Sequence, residues 1–369
     1  MSITIQKSSI SVGLRLFLIL TLVGFTIVFY LTGTGKTMAA IGGFKAGYFL
    51  VALLLTLVDL SVGSLRIHIF IAKISNKPKR TSFWDCFRAN LANIFLAAVT
   101  PFQTGGGVAQ LYILHRAGIP VSGALSVSVV NFVATLFILL LAAIGAMAFM
   151  RGYMPSPPFR LVLSFSYVVF YIAAGLLLLF LIRPLMFGLV VSTLLRRIGD
   201  MWSSQRHRFH RLSERANDFI HQYRSYIGYY WRSEKLLLVV NLILTIILYF
   251  NKCLIGFVLI MGMDLDPYFL KVVAIQIILV FLFYFTPTPG ASLIAETSTA
   301  ALMSGLIPSY LLPVFALLWR FFTTYFSVIF GGVILLRELG APLREKNHVR
   351  RSEKNRCVGP GFIPGRKLP

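Results

Sequence analysis

Thr286-Pro287-Thr288-Pro289-Gly290 interrupts an apolar segment at 268–305, and Thr100-Pro101-Phe102-Gln103-Thr104-Gly105-Gly106-Gly107 interrupts another at 83–118. On either side of each break the pattern is apolar and helical. Proline removes a backbone donor and collides with the preceding turn, so no straight helix runs through either stretch. Unwound backbone at membrane depth has to be shielded by protein or face a watery cavity. Each segment therefore reads as a re-entrant hairpin of two half-helices.

Around the hairpins lie six apolar runs, at 14–31, 48–72, 121–150, 161–182, 236–261 and 311–336. About 20 apolar residues suffice to cross a bilayer as a helix. The composition agrees: of 369 residues 57% are hydrophobic and 13% charged, against about a quarter charged in soluble domains. The expected fold is an all-α polytopic membrane protein with about six full spans and two broken re-entrant hairpins. Its charge is lopsided, with 35 Lys and Arg against 12 Asp and Glu. Basic residues collect in cytoplasmic loops of membrane proteins, whereas a soluble nucleic-acid binder carries them on a polar fold; no nucleic-acid partner is expected. Cys86, Cys253 and Cys357 are too scattered for a disulfide framework or a metal site.

The basic residues also orient the chain. Lys7 and Arg15, the loop after the second run, the segment 183–235 and the tail 337–369 together hold 26 of the 35, and the alternate loops hold four (Lys36, Lys45, Arg151, Arg160). This asymmetry places both termini in the cytoplasm, with an N-terminal tail at 1–13, a basic cytoplasmic loop at 183–235 and a basic tail at 337–369. The first hairpin then enters and leaves from the cytoplasmic side and the second from the outer side. The expected compartment is the bacterial inner, or plasma, membrane. The loop 183–235 mixes bases with aromatics such as Tyr223, Tyr230 and Trp231, which fits a helix lying on an anionic leaflet.

The two broken segments resemble each other. Thr100 is followed at offsets of 10, 18, 20 and 31 by Gln110, Gly118, Pro120 and Asn131; Thr286 is followed at 10, 19, 22 and 34 by Glu296, Gly305, Pro308 and Arg320. The chain parses as span, span, hairpin, span, twice over, at 14–150 and 161–336. Three full spans per unit reverse the second copy in the membrane. This is the inverted-topology repeat of many secondary transporters, whose substrate sites lie near the midplane at the repeat interface.

At these residues the sequence resembles the lysylphosphatidylglycerol synthase/flippase transmembrane-region family, the flippase-like part of multiple peptide resistance factor proteins. The resemblance covers about 10–340. Its most specific piece is Thr286-Pro287-Thr288-Pro289-Gly290 with Glu296, Gly305 and Arg320. In the first copy the chain has Gln110 and Asn131 where the family pattern carries a Glu and often an Arg. The resemblance implies lipid translocation. About thirty residues follow the last span, so the soluble aminoacyl-transferase domain of the larger members is not expected here. A separate lipid-modifying enzyme is a possible partner. Two other classes remain open: an intramembrane transferase or membrane subunit of envelope glycolipid synthesis using Asp59 or Glu296 as base, and a non-catalytic scaffold.

Charges read at membrane depth are few: Asp59, Arg66, Lys252, Glu296 and Arg320. Each costs about 2.5–3.5 kcal/mol at a helix centre unless it pairs or faces a cavity. Glu296 with Arg320 reads either as a substrate site, the guanidinium gripping a phosphate through parallel hydrogen bonds, or as a fixed ion pair locking the hairpin to the last span. Asp59 reads as paired with Lys252 or Arg66, and Arg66 as able to snorkel from a span end. After Gly107 and Gly290 a helix restarts, and unpaired N–H groups in a first turn attract anions. Gly105, Gly106, Gly107 and Gly290 admit a phosphate close to the backbone, while Gln103, Thr104, Thr288 and Ser292 add donors. The expectation is a site in which the hairpin tips cradle the phosphate of an anionic phospholipid or polyprenyl-phosphate-type lipid, completed by Gln110, Asn131, Glu296 and Arg320. No nucleotide, metal or hydrolase motif stands in the sequence, and no cofactor is expected.

Overall fold

The computed structural model describes residues 7–74, 81–150, 206–284 and 286–340, with the single positions Gly175, Thr193 and Arg197. Among the described residues there are helices and no strands. They are α1 (Lys7–Thr32), α2 (Gly35–Gly42), α3 (Ala46–Ile71), α4 (Phe83–Ala98), α5 (Gly105–Arg116), α6 (Val121–Phe149), α7 (Arg206–Ser233), α8 (Lys235–Gly262), α9 (Phe269–Tyr284), α10 (Ile294–Met303), α11 (Leu312–Arg320) and α12 (Phe326–Gly340).

Among the described residues five stretches are long and apolar enough to cross a membrane: Ile10–Thr32, Ala46–Ile71, Val121–Phe149, Lys235–Gly262 and Ser309–Gly340. They overlie five of the six expected spans. Apart from those single positions, the expected span at 161–182 and residues 183–205 of the basic loop lie outside the described residues, as does the tail beyond Gly340. Helix α2 was not expected: it fills part of the loop between the first two spans, where the Thr37 hydroxyl accepts from the Thr34 N–H at 2.9 Å and donates to the Tyr310 carbonyl at 2.9 Å. In the last span a π-helical segment, Phe321–Tyr325, begins directly after Arg320. Such bulges mark functional sites more often than ordinary turns do.

α4 and α5 pack against each other as a helical hairpin held by α3, α6 and α12. Residues from these helices, including Phe70, Phe95, Leu114 and Val328, share one buried cluster. α9 and α10 form the other broken pair, set among α1, α6, α8 and α11, with Leu259, Leu279, Met303 and Phe315 in a second cluster. Close helix approach rests on small residues. A Cβ on Gly331 would come within 2.2 Å of the Leu91 carbonyl oxygen, so α12 seats directly on the backbone of α4.

The breaks share a backbone. Thr100 is extended, Pro101 opens a single 3-10 turn, and Phe102 and Gln103 have φ of 52° and 56°. Thr288 is extended, Pro289 opens the same turn, and Gly290 and Ala291 have φ of 58° and 56°. The equivalent of Thr100-Pro101 is therefore Thr288-Pro289, two residues later than the sequence offsets place it. Two Thr-Pro pairs stand in tandem, and backbone conformation selects the second. The two turns touch: Gln103 Nε2 donates to the Phe283 carbonyl at 3.1 Å, and a Cβ on Gly290 would meet Phe17 at 2.6 Å and the Ala98 carbonyl oxygen at 2.9 Å.

α7 is helical as its pattern predicts, but it does more than lie on a surface. Tyr223 and Tyr230 are fully buried, Tyr230 packs edge-on against Phe70 at 5.0 Å, and the Ser122 hydroxyl donates to Gln222 Oε1 at 3.0 Å.

Candidate functional site

Where the two turns meet, the helices border a half-open cavity of about 980 Å³ whose lining includes Asp59, Arg66, Gln103, Gln110, Asn131, Lys252, Gly290 and Arg320. The charges come from separate elements: α3 supplies Asp59 and Arg66, α8 supplies Lys252, and the end of α11 supplies Arg320. Asp59 is the one carboxylate of the lining among the described residues, facing three cations.

Glu296 and Arg320 are paired, with Arg320 Nε donating to Glu296 Oε1 at 3.1 Å and both side chains buried. The carboxylate also accepts from the Tyr325 hydroxyl at 3.0 Å and, through Oε2, from the Leu293 N–H at 2.6 Å. Arg320 further donates to the Gly290 carbonyl at 2.9 Å and to the Thr324 hydroxyl at 3.2 Å. Its guanidinium lies 5.4 Å from the Tyr325 ring centre and 5.8 Å from that of Phe283, within cation–π range. Arg320 thus ties the second break to the π-helical segment while remaining on the cavity wall; Glu296 stands behind it, outside the lining.

Lys252 Nζ donates to Asp59 Oδ2 at 2.8 Å, which resolves the pairing left open by the sequence. Arg66 does not snorkel. It is buried, and its Nε donates to Asn241 Oδ1 at 3.0 Å while one terminal nitrogen donates to the Asn131 carbonyl at 2.7 Å and the Thr135 hydroxyl at 3.1 Å. All three acceptors are neutral. Among the described residues no carboxylate bonds to Arg66, and Asp59, which acts on it at longer range, is already bonded to Lys252; a buried cation left so is strongly unfavourable. Counted from the matched breaks, Glu296 stands eight residues after Thr288 and Gln110 ten after Thr100, and Gln110 and Asn131 both line the cavity.

The glycines and hydroxyls divide. Gly107 lines the cavity and has open space around it, whereas Gly105 and Gly106 face α4: a Cβ on Gly106 would sit 2.2 Å from Asn93 Oδ1. Thr104 lines the cavity. Thr288 and Ser292 stand outside the lining: the Thr288 hydroxyl donates to the Ser292 carbonyl, and the buried Ser292 hydroxyl pairs with that of Thr21 at 2.9 Å. At each expected helix start one N–H has a partner from within the chain. α10 starts at Ile294, and Glu296 accepts the Leu293 N–H before it; α5 starts at Gly105, whose N–H donates to the Thr100 hydroxyl at 2.9 Å. One N–H at each start thus bonds to a side chain beside the break.

Comparison with known proteins agrees with this architecture. The lysylphosphatidylglycerol synthase TM region profile matches residues 10–331. The chain belongs to that family. It is also 25% identical over 260 residues to a UPF0104 membrane protein of Archaeoglobus fulgidus, an alignment covering 69% of this chain and 76% of that relative. No solved structure matches the chain. Membership makes it a membrane protein, and its apolar helices fit that assignment.

Several lining residues escaped the sequence reading. Asn90 and Asn93 lie one turn apart on α4, and Tyr249 of α8 shares a 2.8 Å hydroxyl contact with Tyr284 of α9 beside the cavity. Amides at helical spacing within an apolar hairpin arm were the available signal. Asn241, which fixes Arg66, lies 175 positions away and had none.

Proposed function

We propose that this protein translocates an anionic lipid, with the lipid phosphate bound in the cavity between the two breaks. The observation that carries this reading is Arg66: a buried guanidinium on the cavity wall whose partners among the described residues are all neutral. A phosphate oxygen supplies the missing charge and suits the planar fork of arginine. Arg320 and Lys252, already partly neutralised by Glu296 and Asp59, add long-range attraction.

The matching backbone of the touching breaks supports an inverted repeat of two units, 14–150 and 161–336, with six full spans, two re-entrant hairpins and tips meeting near the membrane midplane. The basic asymmetry supports a plasma-membrane protein with both termini cytoplasmic. A separate enzyme that modifies the lipid fits as a partner.

The test is reconstitution into vesicles containing an acyl-labelled anionic phospholipid, with transbilayer movement followed by quenching of the outer leaflet. Arg66→Gln keeps polarity and size class but removes the charge. Loss of a charged hydrogen bond, about 1.5–3 kcal/mol, corresponds to roughly a 10- to 100-fold fall, and Arg66→Lys restores part of it. Wild-type rates in Arg66→Gln at equal incorporation would refute the assignment. Appearance of a chemically new lipid would replace translocation by a transferase activity.

A further inference from the structure

The cavity occupies one end of the bundle. α3 and α8 run antiparallel: Arg66, late in α3, meets Asn241, early in α8, while the N–H of Lys45, just before α3, donates to the carbonyl of Gly262 at the end of α8 at 3.0 Å. From α3 the lining takes Asp59 and residues after it, and from α8 Lys252 and residues before it. Those two halves share one end. At the other end Ala52, Leu259, Ile260, Ile275 and Phe315 are buried in one apolar cluster, so an anion in the cavity has no path past Lys252.

The closed end repeats the construction of the open one. In α3, Asp59 is followed by Leu60, whose carbonyl accepts from Asn90 Nδ2 of α4 at 3.2 Å, and then by Gly63, where a Cβ would lie 2.7 Å from that nitrogen. In α8, Lys252 is followed by Cys253, whose carbonyl accepts from Gln276 Nε2 of α9 at 2.9 Å, and then by Gly256, where a Cβ would lie 2.3 Å from Gln276 Oε1. Each of the two helices carries a charge, an accepting carbonyl and a glycine in the same register, and each receives a carboxamide from the first arm of a broken pair. Asp59 and Lys252 therefore hold equivalent positions, and they bond to each other across the antiparallel contact at 2.8 Å. In the same register, Arg66 and Ile67 on the cavity wall correspond to Leu259 and Ile260 in the cluster.

The equivalent carboxamides differ in surroundings. Asn90 lines the cavity, whereas Gln276 is buried and its Oε1 has no hydrogen-bond partner. Buried polar groups are nearly always satisfied, so a dry, unpaired oxygen disfavours an end that stays shut. A bending point is in place beside it. The π-helical segment Phe321–Tyr325 follows α11 directly, and such bulges are where helices kink.

We propose that this structure is one end state of an alternating pair. In the other state α11 parts from α8 and opens a second half-cavity at the closed end while the first one shuts, and the Asp59–Lys252 pair is the pivot common to both. Inverted repeats that exchange roles around a fixed centre give alternating access in this way. The inference rests on the translocation reading above and supplies its gate.

Single cysteines at Leu125, in the cavity, and at Leu259, in the closed end, would be introduced into the full chain with Cys86, Cys253 and Cys357 replaced by Ala. A membrane-impermeant charged maleimide is then applied to sealed and to permeabilised cells, with Ile275→Cys as a second probe of the closed end. The two ends should label from opposite sides of the membrane. Closed-end cysteines that label from neither side, in protein moving acyl-labelled phosphatidylglycerol at the wild-type rate in vesicles, would overturn the alternation and leave the translocation reading intact. Labelling of both ends from the same side would also overturn it. Opposite-sided labelling in a chain that moves no lipid would overturn the translocation reading and keep the alternation. Asp59→Asn and Lys252→Gln each leave a charge unpaired and should slow transport about tenfold or more. The exchange Asp59→Lys with Lys252→Asp should recover most of that rate, because the positions are equivalent. An exchange as slow as the single variants at equal incorporation would overturn the pivot.

Discussion

Glu296→Gln separates a clamp from a transport residue. The fully buried carboxylate takes three donors from three places: the Leu293 N–H ahead of α10, Arg320 Nε at the end of α11, and the Tyr325 hydroxyl in the π-helical segment. A carboxamide has the same outline but replaces one acceptor by a donor. Turned one way, its NH2 faces the Leu293 N–H; turned the other, it faces the Arg320 guanidinium. In both orientations Arg320 loses its counter-charge while buried, which costs about 3–5 kcal/mol. That figure already includes the unpaired partner, so the lost hydrogen bonds are not added to it. The double variant Glu296→Leu with Arg320→Leu removes both charges, and apolar replacement of a buried pair is often neutral; it should recover to within about 2 kcal/mol of wild type while losing transport. Unfolding would be followed by tryptophan fluorescence in mixed micelles of rising SDS fraction, with Trp319 next to the pair. A Gln variant within about 1 kcal/mol of wild type, or a double variant no more stable than the single one, would refute the clamp.

Adjacent glycines should behave oppositely. Gly106→Ala places a methyl 2.2 Å from Asn93 Oδ1 and should destabilise by about 1–3 kcal/mol through overpacking. Gly107→Ala meets nothing within 4 Å and should be neutral or stabilising by up to about 1 kcal/mol from helix propensity; the same micelle titration reads both. Acid should loosen the junction of α7 and α8. There Lys73 lies 3.0 Å from Glu234, and hydrogen bonds from Lys73 and Tyr229 hold the Glu234 carboxyl below its ordinary value of 4.5. A carboxyl lowered on folding contributes stability that is complete above 4.5 and lost as pH falls through the lower folded value. Glu234→Gln should flatten the acid limb of the stability profile in that range, and an unchanged limb would count against the pair.

The breaks were legible because proline and glycine act locally: no surrounding structure can give Pro101 or Pro289 an N–H. The intramembrane charges were legible because apolar runs have so few. Which Thr-Pro pair matches Thr100-Pro101 was not, since Thr286-Pro287 and Thr288-Pro289 offer the same letters and differ only in the conformation that follows. Nor was the division among the glycines, because Gly106 and Gly107 differ only in which side of α5 meets Asn93. The helix starts read as open anion sites, and only the turn geometry shows that Thr100 and Glu296 each take one N–H there.

The sequence by itself determined a helical membrane chain with two broken segments and a handful of costly charges, because bilayer length, proline sterics and ion desolvation act on short stretches. Only the tertiary structure decided which charges are satisfied. Glu296 and Lys252 find opposite charges across the fold, while Arg66 finds Asn241, Asn131 and Thr135. Whether a buried charge is neutralised depends on residues brought within a few ångströms from distant positions, and that shortage at Arg66 is what points the cavity toward an anion.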